Sequence, residues 1–174
     1  MKRIPDRIEK IRSTLTAKGA EYATVNNRFH NFDDMAWLIS VTPENALIGL
    51  MAKHWVSVRD IIARVEHIDY PTIGVHNQTM FTITPELVSE KFGDLINYLI
   101  LLTGIRCRRS FPFEDIVEAC ISGVLDFPKT EFQISVKSLD DSIHGAIHNH
   151  RRRAMAVKAI SHLIFLEERV LSLC

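Results

Sequence analysis

The stretch Thr84–Gly104, TPELVSEKFGDLINYLILLTG, decides the fold because it carries the clearest helix boundaries in the chain. Thr84 is a favourable N-cap residue, Pro85 suits the first helical position, and Gly104 suits the left-handed residue that ends many helices. Apolar residues at helical spacing share one face, namely Val88, Phe92, Leu95, Leu99 and Leu102. The pattern predicts a helix over residues 84–103.

Acidic and amide side chains occupy the opposite face of this helix, within an arc of about 80°. They are Glu86, Glu90, Asp94 and Asn97. A solvated face would explain them, but the apolar residues from Leu95 onward spread around the circumference and predict a helix covered on most sides. Ionised carboxylates on a covered helix need a counter-charge, and hard oxygen ligands suit Mg²⁺ or Mn²⁺. We therefore predict a divalent-metal site on this face.

The composition is that of an ordinary soluble domain, with 174 residues, 21 Lys and Arg against 21 Asp and Glu, and 47% apolar residues. Zero net charge does not indicate a nucleic-acid or membrane partner, and the basic run Arg151–Arg153 leaves nucleic acid as the less favoured alternative. The N-terminus lacks the apolar core of a secretory signal, and the apolar run at residues 95–102 is too short to span a membrane, so we expect a cytoplasmic protein. Cys107, Cys120 and Cys174 lack the spacing of a zinc site or disulfide framework, which predicts free thiols.

The N-terminal part of the chain predicts several further helices. Apolar residues at helical spacing indicate an amphipathic first helix over residues 4–17, and a short helix follows at residues 33–39. A second Thr-Pro-Glu signal opens a long helix over residues 42–66. A loop at residues 69–83 joins it to the helix at 84–103. A connection of this length predicts that the two long helices are antiparallel neighbours.

The C-terminal part is less regular. It predicts a helix at residues 112–125, a short strand-like alternation at residues 132–136, and one or two helices over residues 140–173. We therefore expect an all-α bundle with at most one short β-hairpin outside it. Residues 1–104 would form the helical core, and residues 105–174 would form a helical extension packed on that core or on a partner subunit.

Candidate ligand-binding groups come from two further segments. The segment at residues 18–32 interleaves charged, polar and aromatic side chains, among them Lys18, Tyr22, Arg28, Asn31 and Phe32. Irregular segments of this kind often present binding groups, although a loop pinned by its phenylalanines explains the pattern equally well. On the second long helix, Lys53, His54 and Asp60 lie at the edge of the apolar stripe or beside it. Antiparallel packing would bring Asp60 to the carboxylate face of the next helix.

The strings EKFGDLINYLILL and KGAEYA…NRFHNF, with a helical Lys-His pair between them, resemble the all-α nucleotide pyrophosphohydrolases of the MazG-like class. The chain is more closely similar to small phage proteins grouped as nucleotide-modification-associated domains, which would act in the cytoplasm of a bacterial host. The similarity covers residues 18–102, and Gly93-Asp94-Leu95-Ile96 matches best.

The resemblance implies hydrolysis of a nucleoside triphosphate at the α-phosphorus, with release of pyrophosphate. The implied catalytic residues are Glu90, Asp94 and Asp60, and the implied ligands of Mg²⁺ (or Mn²⁺) are Glu86, Glu90, Asp94 and Asp60. Phosphate charge would be neutralised by Lys18, Arg28 or Lys53. The remaining substrate contacts would come from Tyr22, Phe32 and His54 at the base, and from Asn31 and Asn97.

The chain departs from the pattern of this class at one important position. Lys91 stands where the class has its glutamate, and the upstream helix offers Asp60 rather than a glutamate pair. Two interpretations therefore stay open, namely metal-dependent hydrolysis and a non-catalytic module that sequesters a nucleotide or signalling molecule. Because sites between helices often gain their cover from a second subunit, we also expect a homo-oligomer.

Overall fold

A computed structural model describes residues 3–22, 24, 27–66, 82–126, 136–148 and 152–173. Within these ranges the chain is helical, and its β-structure is limited to an isolated bridge between Thr24 and Asn27. The helices in chain order are α1 (Arg3–Tyr22), α2 (His30–Leu38), α3 (Pro43–Val65), α4 (Pro85–Cys107), α5 (Phe113–Leu125), α6 (Val136–His148) and α7 (Arg152–Leu173). The predicted all-α bundle is confirmed.

The two Thr-Pro-Glu signals begin the two long helices, as predicted. Thr42 Oγ1 accepts a hydrogen bond from the backbone N–H of Asn45 at 3.2 Å. Thr84 Oγ1 accepts one from the N–H of Leu87, also at 3.2 Å. Each hydroxyl thereby satisfies a backbone donor that the first helical turn leaves without a partner.

The end of α4 differs from the prediction, because the helix continues past Gly104 to Cys107. Gly104 is buried, and a Cβ atom placed on it would lie 2.7 Å from the ring of Phe113 and 2.8 Å from that of Phe29. Glycine is therefore needed here for close packing of two aromatic rings and not for a left-handed turn.

The first two helices are longer than the sequence pattern predicts. Residues 18–22, which were expected to be irregular, continue α1, and α2 begins at His30. The short connection between them is organised by Asn27. Its carboxamide oxygen accepts from the N–H of Phe29 at 2.9 Å, and its nitrogen donates to Asp33 at 2.8 Å. These local bonds start α2 three residues early.

Helices α3 and α4 pack antiparallel, which confirms the prediction. Arg106 near the end of α4 donates to Glu44 at the start of α3 at 2.6 Å, and His54 faces Asp94 about midway along the pair. Arg106 also donates to the carbonyl oxygen of Ile147 in the last turn of α6 at 3.0 Å, so one side chain joins three helices.

Helix α4 lies at the centre of the bundle, in contact with α1, α3, α5 and α7. Its buried side chains include Val88, Phe92, Leu95, Ile96, Leu99 and Ile100. Helices α5, α6 and α7 contribute to the same buried core as α1 and α3. The boundary that the sequence suggested between a core (residues 1–104) and an extension (residues 105–174) therefore falls inside α4.

Some predictions concern residues outside the described ranges, namely most of the loop at 69–83 and the strand-like residues 132–135. Of the one or two helices expected over residues 140–173, the structure shows two, α6 and α7. No single helix in the described part of the chain is long and apolar enough to cross a membrane. Helices α2 and α3 reach that length and hydropathy only as a pair, with a bend of 96° between them.

Candidate functional site

A cleft of about 660 Å³, here called the acidic cleft, lies between α1, α4 and α7. Six carboxylates line it: Asp6, Glu86, Glu90, Asp94, Glu167 and Glu168. The cations among the described lining residues are Arg7 and Lys10, and Arg7 is paired with Glu167. The cleft is therefore strongly negative, and it attracts cations and repels free anions.

One wall of the acidic cleft is formed by a buried network around Arg7. The guanidinium donates two hydrogen bonds to Glu167, one of them at 2.6 Å, and a further one to the carbonyl oxygen of Ser89 at 3.0 Å. Ser89 Oγ donates to the same carboxylate at 3.0 Å. Burial lowers the pKa of Arg7 to about 10, so the side chain stays charged at neutral pH. The network joins α1, α4 and α7.

A second cavity of about 460 Å³, here called the aromatic pocket, lies between α1, α2, α3 and α4. Its apolar lining consists of Leu15, Phe32, Met35, Leu50, Tyr98 and Leu101. Arg28 and Asn31 add polar groups. Arg28 is held in place, because it donates to the carbonyl oxygen of Leu15 at 2.9 Å and its guanidinium carbon lies 4.5 Å from the centre of the Phe113 ring. The pocket offers flat apolar faces with a few polar groups.

The two cavities adjoin at Thr14, Asp94 and Asn97, which line both of them. We call these three residues the junction. Asn97 Oδ1 is buried and has no hydrogen-bond partner among the described residues. Asp94 Oδ2 lies 3.3 Å from His54 Nδ1, but the geometry is not that of a hydrogen bond. The junction therefore holds polar groups that the protein itself leaves incompletely paired.

His54 on α3 contacts two residues of α4 that line the cavities, Asp94 and Tyr98. Its ring packs on Tyr98 with a centroid separation of 5.0 Å, and Tyr98 lines the aromatic pocket. Burial lowers the pKa of His54 and outweighs the opposing effect of Asp94. The imidazole is therefore mainly neutral at pH 7, and its contact with Asp94 is not an ion pair there.

The carboxylate of Glu90 is paired with its neighbour in the sequence. Lys91 Nζ lies 2.6 Å from Glu90 Oε1, and this hydrogen bond, with the charge of the lysine, lowers the pKa of Glu90. Glu90 is thus ionised at neutral pH, with one oxygen engaged. Within the described ranges, no three His, Cys, Asp or Glu side chains come together in an arrangement that would hold a metal ion.

Most of the predicted site residues reach one of the two cavities. The acidic cleft receives Glu86, Glu90, Asp94 and Asn97, and the aromatic pocket receives Arg28, Asn31, Phe32, Asp94 and Asn97. Lys53, His54 and Asp60 line neither cavity. Asp60 follows His54 by six residues, about 240° around the helix, and so does not share the face that His54 turns to α4. The side chains of Lys18 and Tyr22 lie outside the described part of the chain.

Sequence reasoning missed the cleft residues contributed by α1 and α7, among them Arg7, Lys10, Glu167 and Glu168. A signal was present for the buried pair. Arg7 stands at helical spacing from Ile4 and Ile11, and Glu167 stands at helical spacing from Leu163 and Val170. A charged residue at an apolar position of an amphipathic helix indicates a buried partner, but it does not say which residue that partner is.

No protein-family model matches the chain, and no solved structure matches it. The chain is similar to 2-isopropylmalate synthase 2 of Leptospira interrogans serogroup Icterohaemorrhagiae serovar Lai (strain 56601), with 23% identity over 168 residues. That match covers 90% of this chain and 39% of the synthase, so the chain spans about two fifths of the length of this curated relative. An identity at this level does not show common family membership.

Proposed function

We propose that this protein binds a nucleoside triphosphate together with Mg²⁺ (or Mn²⁺) across the junction and hydrolyses it to the monophosphate and pyrophosphate. The observation that carries the proposal is that an aromatic pocket and an acidic cleft adjoin at Asp94 and Asn97. A nucleobase has apolar faces and polar edges. The rings of Phe32 and Tyr98 suit the faces, and Asn31 suits an edge.

The phosphates would lie in the acidic cleft, where a divalent cation must accompany them because the carboxylates repel a free triphosphate. Mg²⁺ is commonly held by one or two carboxylates, several waters and the substrate phosphates, so a preassembled group of three protein ligands is not required. Asp94 is the carboxylate of the junction, Glu90 lies one turn from it along α4, and Glu86 lies one turn beyond Glu90. Lys10 supplies positive charge on the facing helix α1.

The chemistry requires an attacking water and a stabilised leaving group. Bound Mg²⁺ would polarise the phosphoryl oxygens and acidify a coordinated water. A water oxygen would bond to the α-phosphorus as the bond from that phosphorus to the α–β bridging oxygen breaks, the proton of the water would pass to a carboxylate of the acidic cleft, and pyrophosphate would leave. Lys10 would neutralise charge on the departing pyrophosphate, and the aromatic pocket would hold the base while the bond breaks.

A second candidate is nucleotide or signal-molecule binding without chemistry. One observation favours it, namely the 2.6 Å ion pair of Lys91 with Glu90. This pair reduces the number of carboxylate oxygens that a metal ion can use. A protein of this kind would sequester its ligand in the same two cavities.

We also propose that a second copy of the chain covers the mouth of the aromatic pocket. Leu50 lines the pocket and is 38% exposed, and Leu38, on the same side of α2 as the pocket residues Asn31 and Met35, is 71% exposed. Exposed apolar surface often marks an interface. Sedimentation should show a dimer or larger species that dissociates in Leu38→Glu. A monomeric wild-type protein at all concentrations would overturn this part.

The nucleotide proposal is tested with each ribo- and deoxyribonucleoside triphosphate in the presence of Mg²⁺. Release of monophosphate and pyrophosphate is followed in the wild type, in Asp94→Asn, and in Asp60→Asn as a matched control. We expect release to be lost in Asp94→Asn and retained in Asp60→Asn, because Asp60 lines neither cavity.

Thermal stability is measured in parallel with the same nucleotides and with cyclic nucleotides. A ligand at about 100 times its Kd adds about 2.7 kcal/mol to the free energy of unfolding. Stabilisation without product release would establish the second candidate. The absence of both effects with every nucleotide would overturn the nucleotide proposal as a whole.

A further inference from the structure

Asn97 combines two properties that point to a ligand. It lines both cavities, and its Oδ1 is buried without a hydrogen-bond partner among the described residues. Buried polar atoms are nearly always hydrogen-bonded, because an unpaired one carries the full cost of its lost hydration. Rotation about the terminal side-chain torsion of asparagine is soft and would turn the carboxamide into either cavity.

We infer that Asn97 hydrogen-bonds one sugar hydroxyl of the bound nucleotide, so that the protein discriminates against the deoxy analogue that lacks this hydroxyl. This inference rests on the proposed function. With the base in the aromatic pocket and the phosphates in the acidic cleft, the sugar crosses the junction, where Asn97, Asp94 and Thr14 lie.

The chemistry of the junction selects a hydroxyl over the other polar parts of a nucleotide. A phosphate oxygen only accepts hydrogen bonds, so it cannot satisfy Asn97 Oδ1, which is itself an acceptor. A hydroxyl both donates and accepts, so it pairs with the Asn97 carboxamide in either of its two orientations. It can also donate to Asp94 or pair with the hydroxyl of Thr14 from the same position.

The test compares the binding of a nucleoside triphosphate with that of its 2′-deoxy and 3′-deoxy counterparts by calorimetry in Mg²⁺. We expect the wild type to bind at least one deoxy analogue about ten-fold or more weakly, because the analogue leaves the carboxamide unpaired. The analogue that is weakened identifies which hydroxyl Asn97 contacts. In Asn97→Leu the ratio of the affinities should fall to about one.

Asn45→Leu is the matched control, because Asn45 is exposed at the start of α3 and lines neither cavity. It should keep the wild-type ratio. Asn97→Ala, which removes the same polar atoms with less bulk, provides the comparison if Asn97→Leu does not fold. Equal binding of all three nucleotides by the wild type, or an unchanged ratio in the Asn97 variants, would overturn this inference alone. Failure to bind any nucleoside triphosphate would overturn the proposed function and this inference with it.

Discussion

Replacing Glu167 with leucine should lower the free energy of unfolding by about 3–5 kcal/mol, the usual cost of removing one partner of a buried ion pair. Arg7 is 7% exposed and Glu167 is 5% exposed. The pKa of Arg7, about 10, keeps the guanidinium charged at pH 7. The variant would therefore leave a buried positive charge without its counter-ion.

The magnitude follows from the bonds that are lost. The guanidinium donates twice to Glu167, and hydrogen bonds involving a charged group contribute about 1.5–3 kcal/mol each. The bond to the carbonyl oxygen of Ser89 survives, and rotation of Arg7 toward the other carboxylates of the acidic cleft recovers part of the loss. Two such bonds would give about 3–6 kcal/mol, and because part of this is recovered the expected net cost is about 3–5 kcal/mol.

The double variant Arg7→Leu with Glu167→Leu distinguishes the cost of leaving one buried charge unpaired from the net contribution of the ion pair. Removing both charges avoids an unpaired ion, and the desolvation of a buried pair largely offsets its attraction. We expect the double variant to be within about 1 kcal/mol of the wild type and clearly more stable than either single variant.

The assay is urea unfolding followed by circular dichroism at pH 7. Glu118→Leu is the matched control, because Glu118 forms its ion pair with Arg12 on the surface at 2.7 Å, where solvent screens the interaction, and a much smaller change is expected. A Glu167→Leu variant as stable as the wild type would refute the reasoning. A double variant whose loss equals the sum of the two single losses would refute it as well.

Three further predictions follow from individual side chains. Gly104→Ala should destabilise by about 1–3 kcal/mol, because its Cβ would lie 2.7 Å from an aromatic carbon. A Cβ atom on Gly49 would meet no atom within 4 Å, so Gly49→Ala should stabilise α3 by about 1 kcal/mol. Equal changes in the free energy of unfolding of the Gly104→Ala and Gly49→Ala variants, measured by urea unfolding, would contradict this contrast. Burial raises the pKa of Cys120 to about 11, so little of its reactive thiolate is present at pH 8. Mass spectrometry after alkylation at pH 8 should therefore find the half-buried Cys107 labelled and Cys120 unlabelled until the protein is denatured. Labelling of Cys120 in the folded protein would disprove this. The pKa of His54 is lower in the folded protein than its unfolded value of 6.5, so the folded state binds fewer protons and this histidine lowers the free energy of unfolding as pH drops from 7 to 5. In urea unfolding, His54→Gln should therefore show a weaker dependence of stability on pH than the wild type. The same pH dependence in both proteins would argue against this role of His54.

The sequence by itself determined the features that depend on neighbours along the chain. The hydroxyls of Thr42 and Thr84 cap α3 and α4 because the groups that they satisfy lie within three residues. Helical periodicity placed Glu90, Asp94 and Asn97 on one face of α4, and the loop length predicted the antiparallel packing of α3 on α4. Each of these results follows from local geometry and needs no knowledge of distant residues.

Only the tertiary structure decided what those faces meet. Arg7 and Glu167 are 160 positions apart in the sequence, and their pairing depends on how α1 and α7 pack on α4. The same packing places Asn97 between two cavities, and it presses two aromatic rings against Gly104, so that a residue typical of helix ends lies inside a helix. Contacts of this kind depend on the joint arrangement of several helices, and a periodic pattern specifies only which face of a helix is buried and not which side chain covers it.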